Sequence, residues 1–369
     1  MDVTRTRLRA THRLMVLAGM ILLACACGRK EGVQLETHAA PLAAPAETTA
    51  APVAPAAPRG KKPIPAKLQG APLDELAFVP SDVEAVVRVD LAQVGARSEH
   101  PAESLRTLDF LLRAQQPAAW QLLHQAGITV GKELSALYLV IGPPGMGSDA
   151  YLIVGLGRFD TARLGSALRG TDATVEPGPA PLGQTSAFFT WKHPSAGAVG
   201  ALEQPAAESQ DSRLGDAAVG LGDGILLFGP ALLVRRALGS RAGIESDVRT
   251  GPLADEILAV DATATVWGVA QPGVPANRAW LATAVPGVKR GHFQAALASP
   301  GPDIDGLFTL RAEFASHDQA IAFGDRLRQL LQTIALLGEH SPLGRGFAKL
   351  KNGAVVKLED DVVVASGAL

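Results

Sequence analysis

Apolar and polar positions alternate at residues 83–91, the first clearly patterned segment of the chain's body. Val87 and Val89 lie on one side of this alternation, and Arg88 and Asp90 lie on the other. A period of two matches the side-chain alternation of a β-strand, and apolar residues on one side indicate that the strand is half buried. The segment therefore predicts the first strand of the folded body.

Apolar runs and helical spacings predict the other elements. Further strands are predicted at residues 134–142, 151–157, 188–191, 264–270, 292–298, 307–314, 347–358 and 362–365. Helices are predicted within residues 102–126, after Asp160 to residue 169, and at residues 231–238, 277–285 and 319–337. The pairs Asp223-Gly224 and Asn352-Gly353 predict tight hairpin turns.

The order β-α-β-β-α-β occurs twice along the body, from residue 83 and again from residue 262. The third strand of each copy ends in Phe, at Phe159 and Phe314, and the helix after it contains Gly-x-x-Leu-Arg. We therefore expect an α+β fold of two tandem βαββαβ modules, at residues 73–250 and 251–369. Their order resembles ferredoxin-like modules, which implies mainly antiparallel sheets with helices on one face. Independent patterning in a chain rich in Ala and Gly is the alternative.

Charged residues recur two positions apart on the predicted strands, as Arg88 with Asp90 and as Arg311 with Glu313. Side chains two residues apart share one face of a strand. Two interpretations stay open here. The faces are either solvated surfaces with modest ion pairs, or polar recognition surfaces on each module.

Composition separates a tether from this body. The chain has 369 residues, of which 47% are hydrophobic, so the apolar content is sufficient for a core and the length suits about two domains. Residues 29–72 instead hold 12 Ala and 8 Pro, a content typical of an extended, disordered linker of at most about 140 Å. Residues 1–72 carry a net charge of +6 and residues 73–369 a net charge of −8, which argues against nucleic-acid binding.

The N-terminus has the pattern of an export signal. Four arginines lie within residues 1–13, and an apolar stretch at residues 14–24 follows, too short to span a membrane. This stretch ends in Leu22-Leu23-Ala24-Cys25, which resembles the lipobox of bacterial lipoproteins. The resemblance implies removal of the signal peptide 1–24 and acylation of Cys25 with saturated chains such as palmitate. Cys27 is an alternative lipidation site, and an ordinary signal peptide with incidental cysteines is the alternative to lipidation.

The resemblance also implies a location. In enteric lipoproteins, Asp directly after the lipidated cysteine favours retention in the inner membrane, and this chain has Ala26 there. We therefore expect a lipid-anchored protein of the cell envelope, in the outer membrane rather than the inner one. The phrase Phe78-Val79-Pro80 before the first strand is similar to uncharacterised secreted bacterial lipoproteins, a resemblance that implies no activity.

The body carries no recognised catalytic or cofactor motif. Both cysteines lie near the lipobox, so neither a thiolate nucleophile nor cysteine-bound zinc is available to the body. Its histidines lack the i, i+4 spacing of a zinc helix, and no Gly-x-Ser-x-Gly elbow occurs. We therefore expect no metal, no cofactor and no enzyme activity. The weakest alternative is a hydrolase that uses His292 with Asp303 or Asp305.

These observations favour a membrane-anchored, non-enzymatic envelope lipoprotein that binds a protein partner or supports envelope assembly. The alternative is a carrier or sensor of an apolar ligand in a cleft between the two modules, because domain interfaces often form pockets.

Lipidation can be tested at the two cysteines. Cys25→Ala should move the protein from the membrane fraction to the soluble fraction and abolish labelling by an alkyne fatty acid, because the anchoring chains are lost. Cys27→Ala is the matched control and should stay labelled. The opposite behaviour of the two variants would assign the anchor to Cys27.

Overall fold

The structure of the protein is a computed structural model. It describes residues 64–97, 123–143, 151–169, 174–177, 187–191, 217–222, 224–271, 287–297, 306–339 and 353–368. The predicted signal peptide at residues 1–24, Cys25, Cys27 and most of the tether predicted at residues 25–72 lie outside the described residues.

Twelve strands form one antiparallel sheet. In chain order they are β1 (Ala85–Asp90), β2 (Leu134–Ile141), β3 (Tyr151–Gly157), β4 (Thr174–Pro177), β5 (Ala187–Trp191), β6 (Ala217–Gly222), β7 (Ile225–Pro230), β8 (Val266–Ala270), β9 (Val288–Leu297), β10 (Gly306–Phe314), β11 (Val355–Glu359) and β12 (Val362–Ala368). Across the sheet their order is β11-β12-β10-β9-β8-β1-β2-β3-β7-β6-β5-β4.

Helices flank this sheet. The α-helices are α1 (Leu91–Arg97), α2 (Thr161–Arg169), α3 (Ala231–Ala242), α4 (Ala254–Ala259) and α5 (His317–Glu339). Short 3₁₀ helices are η1 (Ala66–Leu68), η2 (Leu73–Phe78) and η3 (Val248–Thr250).

The pairing of β1 with β8 lies at the centre of the sheet and joins its two halves. Val87 of β1 is opposite Gly268 of β8, and Arg88 is opposite Trp267. Outward from this pair, one half runs β1-β2-β3-β7-β6-β5-β4 and the other runs β8-β9-β10-β12-β11. In each half, three strands follow in chain order and a hairpin in reversed order comes next, while β5 and β4 extend the first half alone.

The expected pair of ferredoxin-like α+β modules is wrong. The chain forms a single, mostly β architecture, in which strands β1 and β8 hydrogen-bond to each other instead of belonging to separate sheets. Apolar patterning predicts the order of strands and helices along the chain, but it carries no information on which edge strands will pair. The pairing of β1 with β8 joins residues about 180 positions apart and had no local signal.

Most of the individual elements were predicted well. Asp160 accepts hydrogen bonds from the backbone N–H groups of Ala162 and Arg163 and so caps α2, as expected. Strands β6 and β7 form the predicted hairpin, where Gly224 has a φ of +71°. The helix predicted at residues 277–285 and most of the helical region at residues 102–126 lie outside the described residues.

The first half of the sheet is buried on both faces. One face, here called the upper face, packs against α3, α4 and η2, through residues such as Leu233, Ile257 and Phe78. The lower face packs against α2, through Leu164 and Leu168. Burial on both faces explains why Arg88, expected on a half-solvated strand, is only 4% exposed.

The second half is covered on its lower face by α5. Phe323 and Leu327 of this helix pack against Leu310, Val356 and Leu358 of the sheet. Among the described residues, the upper covering layer reaches as far as α4, which contacts β8 and β9.

The segment before β1 is fastened across the upper face, and we call residues 64–79 the strap. Its Leu68, Leu76 and Val79 are completely buried. The packed part of the chain therefore begins before the tether boundary placed at residue 73.

Two buried arginines hold the acidic residues of the strap. Arg249 Nη1 lies 3.0 Å from Asp74 Oδ1, and its Nη2 lies 2.8 Å from Asp247 Oδ2. Arg88 donates from Nε to the Tyr138 hydroxyl at 2.9 Å, and that hydroxyl donates to Glu75 Oε2 at 2.5 Å. The strap is thus joined to β1, β2 and η3 by charge-assisted hydrogen bonds.

The hydrogen bonds of this network require a charged Arg88 guanidinium and a protonated Tyr138 hydroxyl. Burial lowers the pKa of the Arg88 guanidinium, but Tyr138, Glu75 and Asp90 outweigh burial and leave that pKa raised. Burial also raises the pKa of the Tyr138 hydroxyl, and the Glu75 carboxylate raises it further. Arg88 therefore stays charged and Tyr138 stays a hydrogen-bond donor.

Removing Arg88 should destabilise the fold. Arg88→Met leaves Asp90 and Glu75 without their cation in a largely buried setting, and we expect the free energy of unfolding to fall by about 3 kcal/mol. Urea denaturation followed by tryptophan fluorescence measures this change. Arg326→Met, at an exposed position of α5, is the control and should change stability by less than about 0.5 kcal/mol. Equal stability of the two variants would contradict the role given to Arg88.

Candidate functional site

The upper face of β9–β12 is exposed and largely polar, and we call it the open face. Its side chains come from alternate positions of four neighbouring strands. They are Arg290, His292 and Gln294 of β9, Leu307, Thr309, Arg311 and Glu313 of β10, Val362, Val364 and Ser366 of β12, and Val355, Lys357 and Glu359 of β11.

Strand alternation places these residues on one side. Phe293, Leu310 and Ala312 occupy the intervening positions and point to the lower face, where Leu310 and Ala312 pack with the α5 core. The sequence is therefore apolar where α5 covers the sheet and polar where no described helix does. Such a one-sided pattern is expected of an antiparallel sheet with one face in water.

The open face has a regular row structure, because opposite residues on paired strands share a face. One row runs Lys357, Val364, Arg311 and His292. The neighbouring row begins with Glu359 and ends with Arg290. A third row contains the hydroxyl side chains of Ser366 and Thr309.

Helix α4 forms a wall at one side of the open face. Its Glu256 points toward β9, while the next residue, Ile257, is buried in the upper core. Glu256 Oε2 lies 2.6 Å from His292 Nδ1, and Oε1 lies 3.7 Å from Arg290 Nε. An ionised carboxylate only accepts hydrogen bonds, so the Nδ1 of His292 carries the hydrogen.

The ion pairs continue along β9 and β10. Arg290 Nε lies 2.7 Å from Glu313 Oε2, and this hydrogen bond with Glu313 raises the pKa of Arg290. Lys289 Nζ lies 3.7 Å from Glu313 Oε1 and 3.6 Å from Asp361 Oδ2. Each of these cations therefore has carboxylate partners within the protein.

Two other cations of the open face lack such partners. Arg311 and Lys357 are exposed, and neither makes an ion pair or a side-chain hydrogen bond with the part of the chain that the structure describes. Arg311 also lines a cleft of about 390 Å³ between α4 and the sheet, whose walls include Glu256, His292 and Glu313. The cleft thus contains the ion pairs among Glu256, Arg290 and Glu313 beside the guanidinium of Arg311, which has no ion-pair partner among the described residues.

This arrangement is suited to recognition of a polar partner. Guanidinium groups form paired hydrogen bonds with carboxylates and phosphates, and exposed valines beside them supply apolar contact. His292 donates to Glu256, and no described hydroxyl side chain makes a hydrogen bond with it. Within the described ranges, no three His, Asp or Glu side chains are grouped to hold a metal ion.

The two charged pairs that the sequence analysis identified lie in different environments. Arg88 and Asp90 belong to the buried network beneath the strap, so the solvated-face interpretation is wrong for Arg88. Arg311 and Glu313 lie on the open face, where Arg311 is exposed. For Arg311 and Glu313, in the second half of the sheet, the face can be either a solvated surface or a recognition surface.

The proposed hydrolase pair cannot be placed, because Asp303 and Asp305 lie outside the described residues. His292 is instead paired with Glu256, which sequence reasoning missed because α4 and β9 are far apart in the chain. Arg290 was missed because the strand was predicted to begin at residue 292, whereas β9 begins at Val288. The alternation of Arg290, His292 and Gln294 with apolar residues was the available signal.

Comparison of the chain with protein-family models, curated proteins and solved structures finds no match. Of the helices in the described ranges, none has both the length and the apolar character needed to cross a bilayer.

The exposure of the open face can be tested by two substitutions on one strand. Thr309→Asp places a charge on the open face and should change the free energy of unfolding by less than about 0.5 kcal/mol. Ala312→Asp buries a charge beneath α5 and should cost at least about 3 kcal/mol. Urea denaturation of both variants measures the difference. A large loss for Thr309→Asp would mean that the open face is packed against other parts of the protein.

Proposed function

We propose that the protein is a non-enzymatic lipoprotein of the cell envelope that binds a partner protein through its open face. Lipidation at Cys25 anchors it, in the outer membrane in preference to the inner one. The residues from Cys25 to the strap act as the tether, and the folded body presents the open face to the partner.

The observation that carries this proposal is the contrast between the two halves of one sheet. Corresponding upper-face positions are apolar in the first half, such as Tyr138 and Val154, and polar in the second, such as His292 and Arg311. A sheet face built to be covered by a helix would expose mainly apolar side chains when that helix is missing. The open face instead combines charged groups with scattered Val and Leu side chains, a composition that suits a protein interface of the non-obligate type.

The strap supports the tethering part of the proposal. Any force applied through the N-terminal chain reaches the body at the strap, where the buried Leu68 and the Arg249–Asp74 and Arg88–Glu75 pairs attach it. The attachment leads directly into β1 at the centre of the sheet.

The ligand-carrier alternative required a cleft between two separate modules. Strands β1 and β8 hydrogen-bond along their length, so the described residues contain no such cleft at this boundary. The open face, in contrast, is a surface that the described residues form, and this favours protein binding over ligand carriage.

Site-specific photocrosslinking in native membranes tests the proposal. A photoreactive residue at Thr309 or Ser366, both exposed on the open face, should crosslink one specific envelope protein. The same residue at Arg326, exposed on α5 on the opposite side, is the control and should not yield that product.

Mass spectrometry identifies the crosslinked species. Equal yield of the same product at Arg326 and Thr309 would contradict binding through the open face. Crosslinks to lipid without any protein product would favour the ligand-carrier alternative.

A further inference from the structure

We infer that the open face recognises an acidic segment of the partner protein, with Arg311 and Lys357 receiving two of its carboxylates. This inference rests on the proposed function and specifies the chemistry of the partner at the same surface.

The first reason is the distribution of paired and unpaired charge. Lys289 and Arg290 are neutralised by Glu313, and Arg290 also approaches Glu256. Arg311 and Lys357 have no such carboxylate among the described residues, although both are exposed. Arg311 and Lys357 therefore present positive charge that the described residues do not pair, while the exposed Glu359 lies in the neighbouring row.

The second reason is geometry. Arg311 and Lys357 lie in one row, separated by the single strand β12 with Val364 between them. Adjacent strands are about 4.8 Å apart, so the two backbone positions are separated by roughly 10 Å. In a peptide with polyproline II conformation, side chains three residues apart point to the same side and are separated by about 9 Å. Two acidic residues at that spacing match the two cations.

The third reason is the chemistry of the surroundings. Val364 lies between the cations and Val355 is 48% exposed beside Lys357, so a peptide lying across the row gains apolar contact. The neighbouring row begins with Glu359, which is exposed. An acidic residue placed over Glu359 would be repelled, so we expect a neutral or basic residue on that side of the acidic pair.

Non-specific attraction of polyanions is not expected to produce the same result. Residues 73–369 carry a net charge of −8, so the long-range field of the body opposes an acidic ligand. Binding of an acidic peptide must therefore depend on the local cations, which makes the inference testable by single substitutions.

The test uses the full-length protein in a non-ionic detergent and fluorescein-labelled peptides. The acidic probe is a twelve-residue peptide of Gly and Ser with Glu at every third position, and the neutral probe has Gln in those positions. Fluorescence anisotropy at low salt should show tighter binding of the Glu peptide. Arg311→Gln and Lys357→Gln should each weaken that binding by about three- to tenfold, an amount typical of losing one charge-assisted contact.

Matched variants separate this effect from unfolding and from total charge. Arg326→Gln removes an equally exposed cation on the opposite side and should leave the affinity unchanged. The double variant Arg311→Glu with Lys357→Glu should no longer bind the Glu peptide. It should instead bind a peptide that has Lys in place of each Glu. Urea denaturation confirms that each variant remains folded.

The inference is overturned if the Glu and Gln peptides bind equally, or if the double variant binds the Glu peptide as well as the unmodified protein does. It is also overturned if vesicles containing phosphatidylglycerol, but not the Glu peptide, bind in a manner that requires Arg311 and Lys357. A protein crosslink at Thr309 together with no binding of the Glu peptide would overturn only the acidic chemistry and leave the proposed function standing.

Discussion

The pairing of β1 with β8 is the constraint on which the rest of the molecule depends. It places Trp267, Arg88 and Tyr138 in one row on the upper face, at the junction of the two halves. Arg88 is charged and buried, so it requires compensation, and Glu75 and Asp90 supply it. Glu75 belongs to the strap, so satisfying the central arginine also fastens the N-terminal segment across the sheet.

The covering layers differ between the two halves of the sheet. The strap, α3 and α4 bury the upper face of the first half, and α5 buries the lower face of the second half. In the described part of the chain the upper layer extends to α4, whose Glu256 contacts His292 and Arg290. Beyond α4 the side chains of this face become largely polar, as expected of an antiparallel sheet with one face in water.

The edge of the open face is protected in a manner that is consistent with selective binding. Among the described strands, β11 is the outermost on this side, and it is only five residues long. Lys357 and Glu359 point to the open face from this strand, and charged residues on edge strands discourage unregulated pairing with other chains. This arrangement favours recognition by side chains of the open face over addition of a partner strand at the edge of β11.

Local patterning in the sequence determined the strands, the Asp160 cap, the turn at Gly224 and the shared face of Arg311 and Glu313. These features depend on residues close together in the chain, so their physical signals are local. Only the tertiary structure decided that β1 pairs with β8, that Arg88 is buried while Arg311 is exposed, and that Glu256 contacts His292. Whether one face of a strand meets a helix or water depends on packing between distant segments, and alternation alone is compatible with either outcome.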